Sequence, residues 1–179
     1  MHMEFKYLLG LLKSGLYNEY FEDLKKAIPQ FMDPKVYGRS ILENSSFIAP
    51  SNNPNPNIQG KGFIARLTGS SSEAISMWIQ MFLGKKLFTY NNQLEFKVNP
   101  ILTSDFFKDG KISFKLFNHI DVTYIATKEG NTFGENKIKP MSYKLTYVNK
   151  ESKTIETVIG KDALDIREGL VTSIEVTLG

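Results

Sequence analysis

Residues 70–98 read SSSEAISMWIQMFLGKKLFTYNNQLEFKV, and the periodicity of the chain changes inside this stretch. Ala74, Ile75, Met77, Trp78, Met81 and Phe82 recur at helical spacing and cover more than half of a helix circumference. That pattern predicts a helix buried on two sides. Ser70-Ser71-Ser72-Glu73 has the form of a capping box at its start, and Gly84 is the expected stop. Past Gly84 the period drops to two. Leu94, Phe96 and Val98 alternate with Gln93, Glu95 and Lys97, which is the signature of a strand with one buried face. The switch divides the chain into a helical segment, 1–84, and a β domain, 85–179.

The same two periods extend in both directions. Upstream, Phe5, Leu8, Leu9 and Leu12 line one helix face. Ser14-Gly15 breaks it, and Tyr17, Tyr20, Phe21, Leu24 and Ile28 form a second stripe that Pro29 ends. Two short helices around a tight break predict an αα-hairpin. Residues 29–62 show no period and carry Pro34, Pro50, Pro54 and Pro56 among Ser and Asn. This stretch is expected to be a loop lying over another part of the molecule. Downstream, strands are expected at 111–116 and roughly at 118–127, 141–148, 153–159 and 171–178, with a short helix or turn from Lys161 to Glu168. Asn91-Asn92, Asp109-Gly110, Glu129-Gly130 and Asn149-Lys150 mark the turns between them. The fold class is therefore α+β, with helices followed by an antiparallel β-sandwich of jelly-roll type.

Composition narrows the function classes. The 179 residues are 41% hydrophobic and 12% aromatic, enough for a real core. There is no cysteine, which excludes a disulfide scaffold and a thiolate metal site and fits a reducing cytoplasm. The 22 basic residues are scattered among 19 acidic ones for a net charge of +3, so a nucleic-acid face is not expected. No apolar run approaches the roughly 20 residues of a membrane span. Met1-His2-Met3 has the look of an expression remnant, which makes a piece cut from a larger protein the expectation.

Few residues suggest chemistry. His2 and His119 are the two histidines; His119 reads as an ordinary strand-end residue. No triad spacing and no metal motif is present, and no carboxylate pair stands out as acid and base. No catalytic residue is named. One local feature remains, Leu67-Thr68-Gly69-Ser70-Ser71-Ser72. It is a hydroxyl-rich turn running into a helix start, where free amides and the helix dipole favour an anion. Gly69 would let a phosphate approach the backbone. By the motif alone a plain N-cap is the better reading, and Glu73 places negative charge in the same turn.

Tyr37-Gly38-Arg39-Ser40, Glu43-Asn44-Ser45-Ser46-Phe47-Ile48 and Gly62-Phe63-Ile64-Ala65-Arg66-Leu67-Thr68-Gly69-Ser70 resemble the end of the catalytic barrel in cellobiose-phosphorylase-like proteins, in the branch of the 1,2-β-oligoglucan phosphorylases. Leu94-Glu95-Phe96-Lys97-Val98-Asn99-Pro100-Ile101-Leu102 resembles the motif that opens the family's terminal β-sandwich. The resemblance implies an (α/α)-barrel followed by a sandwich. It implies inverting phosphorolysis of a β-glucosidic bond to α-glucose 1-phosphate. It also implies phosphate contacts at Thr68, Gly69 and Ser70, and with it that reading overtakes the plain cap. No cofactor is expected beyond inorganic phosphate as co-substrate. The partners implied are a β-glucan or cello-oligosaccharide and the upstream barrel domain. The family's general-acid Asp and a phosphate-contacting Arg lie upstream of this sequence. A phosphate-binding His also lies upstream of the Thr-Gly pair, at a distance that His2 nearly matches; as a terminal residue it is not counted among the site residues.

The chain is thus expected to be a C-terminal fragment, inactive alone. Without the other barrel helices, Leu8, Leu9, Leu12, Phe21, Leu24, Met77 and Trp78 would be partly bare, and a homodimer is expected to cover them. The alternative is a non-catalytic carbohydrate-binding or structural β-sandwich module. Its exposed aromatics would be Phe106, Phe107, Tyr124 or Tyr143, against a plainer reading in which these rings are core.

Overall fold

A computed structural model describes residues 2–64 and 68–179, with the backbone alone for Thr68, Gly69 and Ser70. The chain is mixed α and β and divides into two compact units, Met1–Ile79 and Gln80–Gly179.

The first unit opens on helices α1 (His2–Ser14) and α2 (Tyr17–Ala27). Gly15, at φ 82°, makes the left-handed turn between them. Their facing stripes close on each other. Phe5, Leu8, Leu9 and Leu12 meet Tyr20, Phe21, Leu24 and Ala27, all buried, and Tyr7 Oη donates to Asp23 Oδ2 at 2.9 Å across the pair. Burial of this kind stabilises by roughly 1.5–3 kcal/mol per large side chain. This overturns the expectation of bare apolar faces. Leu8, Leu9, Leu12, Phe21, Leu24 and Met77 are all buried and Trp78 is half-buried. The two helices satisfy each other, because their stripes are complementary in length and position.

The stretch expected to be a loop is built from short elements. Pro29, Pro34 and Pro56 each open one, a 3-10 turn at Pro29–Phe31, helix α3 (Pro34–Tyr37) and a 3-10 turn at Pro56–Ile58. Proline's fixed φ and missing N–H suit a first helical position. Strands β1 (Phe47–Ile48) and β2 (Gly62–Phe63) pair antiparallel. Tyr37 anchors the segment. Its hydroxyl donates to Glu43 O at 2.7 Å and lies 2.6 Å from the buried Ser45 Oγ. Gly62 has to be glycine, since a β-carbon there would run into the Tyr37 ring and Ser45 Oγ.

Helix α4 (Thr68–Leu83) starts at Thr68 rather than after Ser70. Ser70 therefore sits inside the first turn, and Ser70 to Glu73 is not a capping box at the helix start. Nor is the helix buried on two sides. Met77 and Met81 are buried, but Ile75 and Ile79, one turn apart, are 59% and 50% exposed. Gly84 ends it at φ 84°, with its α-carbon so close to Asn99 that a β-carbon would sit 2.7 Å from Asn99 O.

In the second unit β3 (Phe88–Asn91), β4 (Gln93–Phe96) and β9 (Val158–Ile159) form one sheet in the order β3-β4-β9. Strands β5 (Lys111–Leu116), β6 (Ile120–Ala126), β7 (Pro140–Tyr147), β8 (Ser152–Ile155) and β10 (Val171–Leu178) form another, ordered β5-β6-β10-β7-β8. Helix α5 (Lys161–Arg167) precedes β10. The pairs are antiparallel except β10 with β6. The exception has a simple cause. β6 and β7 run in opposite directions, so a strand inserted between them is parallel to one of them. The run expected as one strand over 153–159 is two strands in two sheets, with Glu156 and Thr157 crossing between them. The core holds Phe96, Val98, Leu116, Ile120, Val122, Tyr124, Leu145, Ile174 and Val176. Among the described residues no helix is long and apolar enough to cross a membrane.

Candidate functional site

The phosphate contacts expected at Thr68, Gly69 and Ser70 fall on the first turn of α4. Their side chains, and the whole of residues 65–67, lie outside the described residues. The backbone is informative all the same. The amides of a first helical turn have no partner within the helix. No acidic residue occupies that turn, so the charge of Glu73, placed there from sequence, falls further along the helix. Of the other residues weighed for phosphate, His2 is exposed at the first turn of α1.

His119 is an exposed turn residue. Its Nδ1 lies 2.7 Å from Phe117 O, within its own hairpin. Of the four aromatics considered for sugar stacking, Tyr124 and Tyr143 are buried and Phe106 and Phe107 half-buried. Tyr124 packs edge-on against Phe114, and its hydroxyl donates to Phe82 O. Burial pushes that hydroxyl well above its ordinary pKa. These tyrosine rings are core and do not form a stacking surface.

Tyr143 has a second role. It lines a cavity of about 340 Å³ in the β-rich unit, between the end of β4 with residues 97–100, residues 137–140 leading into β7, and 156–158 at the start of β9. The floor is apolar and buried, with Phe96, Val98, Ile138 and Val158. The Tyr143 ring stands edge-on to Phe96, with centroids 6.3 Å apart. Around the mouth are Glu95, Lys97, Asn99, Lys137, Lys139 and Glu156. Backbone pairing holds each wall. Phe96 pairs with Val158. Lys139 and Gly179 exchange hydrogen bonds at 3.1 and 3.0 Å. Thr132 Oγ1, buried, donates to Pro100 O at 2.6 Å and accepts from Leu102 N at 2.8 Å. Sequence reasoning missed this site because its lining comes from three separated segments, none with a motif.

A polar cluster pins α5. Asp162 accepts from Tyr147 Oη at 3.0 Å and from Lys153 Nζ at 2.7 Å. Burial acts to raise the Asp162 carboxyl, but those two donors outweigh it and hold it below the ordinary value. Tyr147 is pushed up to about 12, chiefly by burial and then by its bond to Asp162. Lys161 Nζ binds both oxygens of the buried Asp165, at 2.8 and 2.7 Å. Every group here already has a protein partner, so the cluster is structural. Among the described residues no group of His, Asp and Glu is gathered to hold a metal ion. No family model matches the chain, and no curated protein is similar to it in sequence.

Proposed function

We propose that the chain is the C-terminal part of a carbohydrate phosphorylase similar to the cellobiose phosphorylases. In this reading the helices of the first unit are the end of an (α/α) barrel, and the β-rich unit is a sandwich. The complete enzyme splits a β-glucoside with phosphate, and this chain contributes phosphate contacts at Thr68, Gly69 and Ser70. The observation that carries the reading is the start of α4. The helix begins at Thr68 with no acid in its first turn, so the three residues marked by the motif resemblance place their amides where an anion is stabilised. The chain's own chemistry is positioning. Phosphate is the nucleophile and is already charged, so the site has to hold it in line; a general acid protonates the leaving oxygen, and this chain supplies none.

Amide chemical shifts of the labelled chain, titrated with inorganic phosphate, test this. The shifts are expected to move at Thr68 to Ser71, with an affinity on the order of 1 mM or weaker, since an exposed dipole contributes only about 0.3–1 kcal/mol. Thr68→Val should weaken the response. Shifts that stay at rest there while other amides move would overturn the assignment. A second reading, a carbohydrate-binding module, is favoured by the cavity around Tyr143.

A further inference from the structure

The turn between β5 and β6 carries an unsuitable residue for its backbone. Phe117 and Asn118 occupy its central positions at φ 50° and 64°, and His119 N closes it on Leu116 O at 3.3 Å. Asparagine and glycine suit such positions, whereas a bulky ring at positive φ is an outlier. Burial does not offset the strain in full, because Phe117 is 50% exposed. Strain kept at a surface is characteristic of ligand clamps and similar sites.

What the strain achieves is an exposed stack of rings. Phe117 lies near-parallel to Phe88, with centroids 6.4 Å apart at 14°, and to His119, at 6.5 Å and 30°. Phe88 in turn packs edge-on against the buried Phe96, so the stack is rooted in the core. His119 is exposed but held. A carbonyl only accepts, so Nδ1 donates to Phe117 O at 2.7 Å, which leaves Nε2 as the ring's second polar atom. A β-carbon at residue 169 would sit 3.2 Å from Nε2, and glycine there leaves it room.

The surroundings select the ligand. Lys115 and Asp121, on the strands either side of the turn, pair with each other at 2.6 Å, so the hairpin presents no net charge to a charged ligand. Aromatic side chains bury about 150–250 Å² each when fully covered. Three partly exposed rings therefore fall short of the roughly 800 Å² per partner of a stable protein interface. The face of an aromatic ring is negative and takes the polarised C–H face of a flat, uncharged ring. Nε2 and the exposed Asn118 are polar neighbours for hydroxyls on the edge of that ring.

We propose that the β5–β6 turn binds a neutral sugar ring stacked on Phe117, with His119 Nε2 accepting from one of its hydroxyls. The proposal deepens the carbohydrate-binding reading and does not depend on phosphorolysis.

The test is a titration of the labelled chain with glucose, mannose and cellobiose, and separately with inorganic phosphate. At least one sugar is expected to move the amides of Phe88 and Phe117 to His119, and phosphate is expected to leave them at rest. Phe117→Asn removes the ring and suits the left-handed backbone. It should weaken the sugar response about tenfold, while the urea midpoint stays level or rises. His119→Ala removes Nε2 at an exposed position and should weaken the response about threefold, which keeps the test valid if Phe117→Asn fails to fold. Wild-type sugar affinity in the folded variants, or a lower midpoint for Phe117→Asn, would overturn the proposal. So would concentration-dependent self-association that Phe117→Asn abolishes, since a second copy would then cover the ring. Sugar shifts confined to other amides would overturn this site and leave the module reading standing, and silence of every amide to every sugar would overturn both. The phosphate arm at Thr68 to Ser71 reads out separately.

Discussion

Gly62 and Gly10 are both glycines inside regular structure, and their surroundings give them opposite roles. A β-carbon at Gly62 meets the Tyr37 ring and Ser45 Oγ, both buried, whereas one at Gly10 on α1 meets nothing within 4 Å. Gly62→Ala is therefore expected to destabilise the first unit by about 1–3 kcal/mol through overpacking. Gly10→Ala should stabilise it by roughly 0.5–1 kcal/mol by restricting the unfolded chain in a helical position. Urea denaturation of the two variants checks both signs. Asp162 makes a residue-scale prediction in pH. Its folded carboxyl lies below the ordinary value of 3.8, because Lys153 and Tyr147 outweigh burial. A depressed carboxyl stabilises fully above its unfolded pKa and loses that contribution as pH falls through the folded one. Urea midpoints between about pH 5 and pH 2 should thus fall more steeply for the wild type than for Asp162→Asn. Equal slopes would mean that the Lys153 and Tyr147 contacts are too loose to matter.

At the scale of elements, β10 carries the β-rich unit. It is the middle strand of five, paired on both sides, and Val171, Ile174, Val176 and Leu178 are buried along it. Its amides are expected to be the slowest to exchange with solvent in this unit. Those of β3, an edge strand with Tyr90 77% exposed, should be among the fastest. Ile174→Ala removes a fully buried side chain from this strand and should cost about 2–5 kcal/mol. Faster exchange in β10 than in β3 would contradict the topology. α4 shows how a helix can be read correctly in kind and misread in its face. Its apolar residues were legible, but apolar residues on every side do not say which sides are covered, and Ile75 and Ile79 face solvent.

For the whole molecule the question is which chemistry the chain performs alone. The phosphorylase reading places phosphate contacts here and the general acid elsewhere. A general acid typically contributes on the order of 10²–10⁴ in rate. The chain with phosphate and a panel of β-glucans is therefore expected to release no glucose 1-phosphate. Steady release proportional to protein and surviving repurification would sink the fragment reading. Of the residues whose expected exposure called for a homodimer, Leu8, Leu9, Leu12, Phe21, Leu24 and Met77 are buried in the chain and Trp78 is half-buried.

Local patterns carried much of the fold. The 3.6-residue spacing of Phe5 to Leu12 and Tyr20 to Leu24, and the alternation at Gln93 to Phe96 and Lys111 to Leu116, all became elements where the spacing put them. Asn92, Asp109 and Lys150 took left-handed conformations at turns marked by Asn-Asn, Asp-Gly and Asn-Lys. These features were legible because side-chain period and turn chemistry act over a few residues. β3 was missed because Phe88-Thr89-Tyr90-Asn91 is short and has no buried alternation. The order β5-β6-β10-β7-β8 and the crossing at Glu156 and Thr157 depend on pairing between residues far apart in the chain, which no local period encodes. The sites divide in the same way. Thr68-Gly69-Ser70 is contiguous and was visible as a motif. The cavity exists only once residues 95–100, 132–143 and 156–158 are brought together.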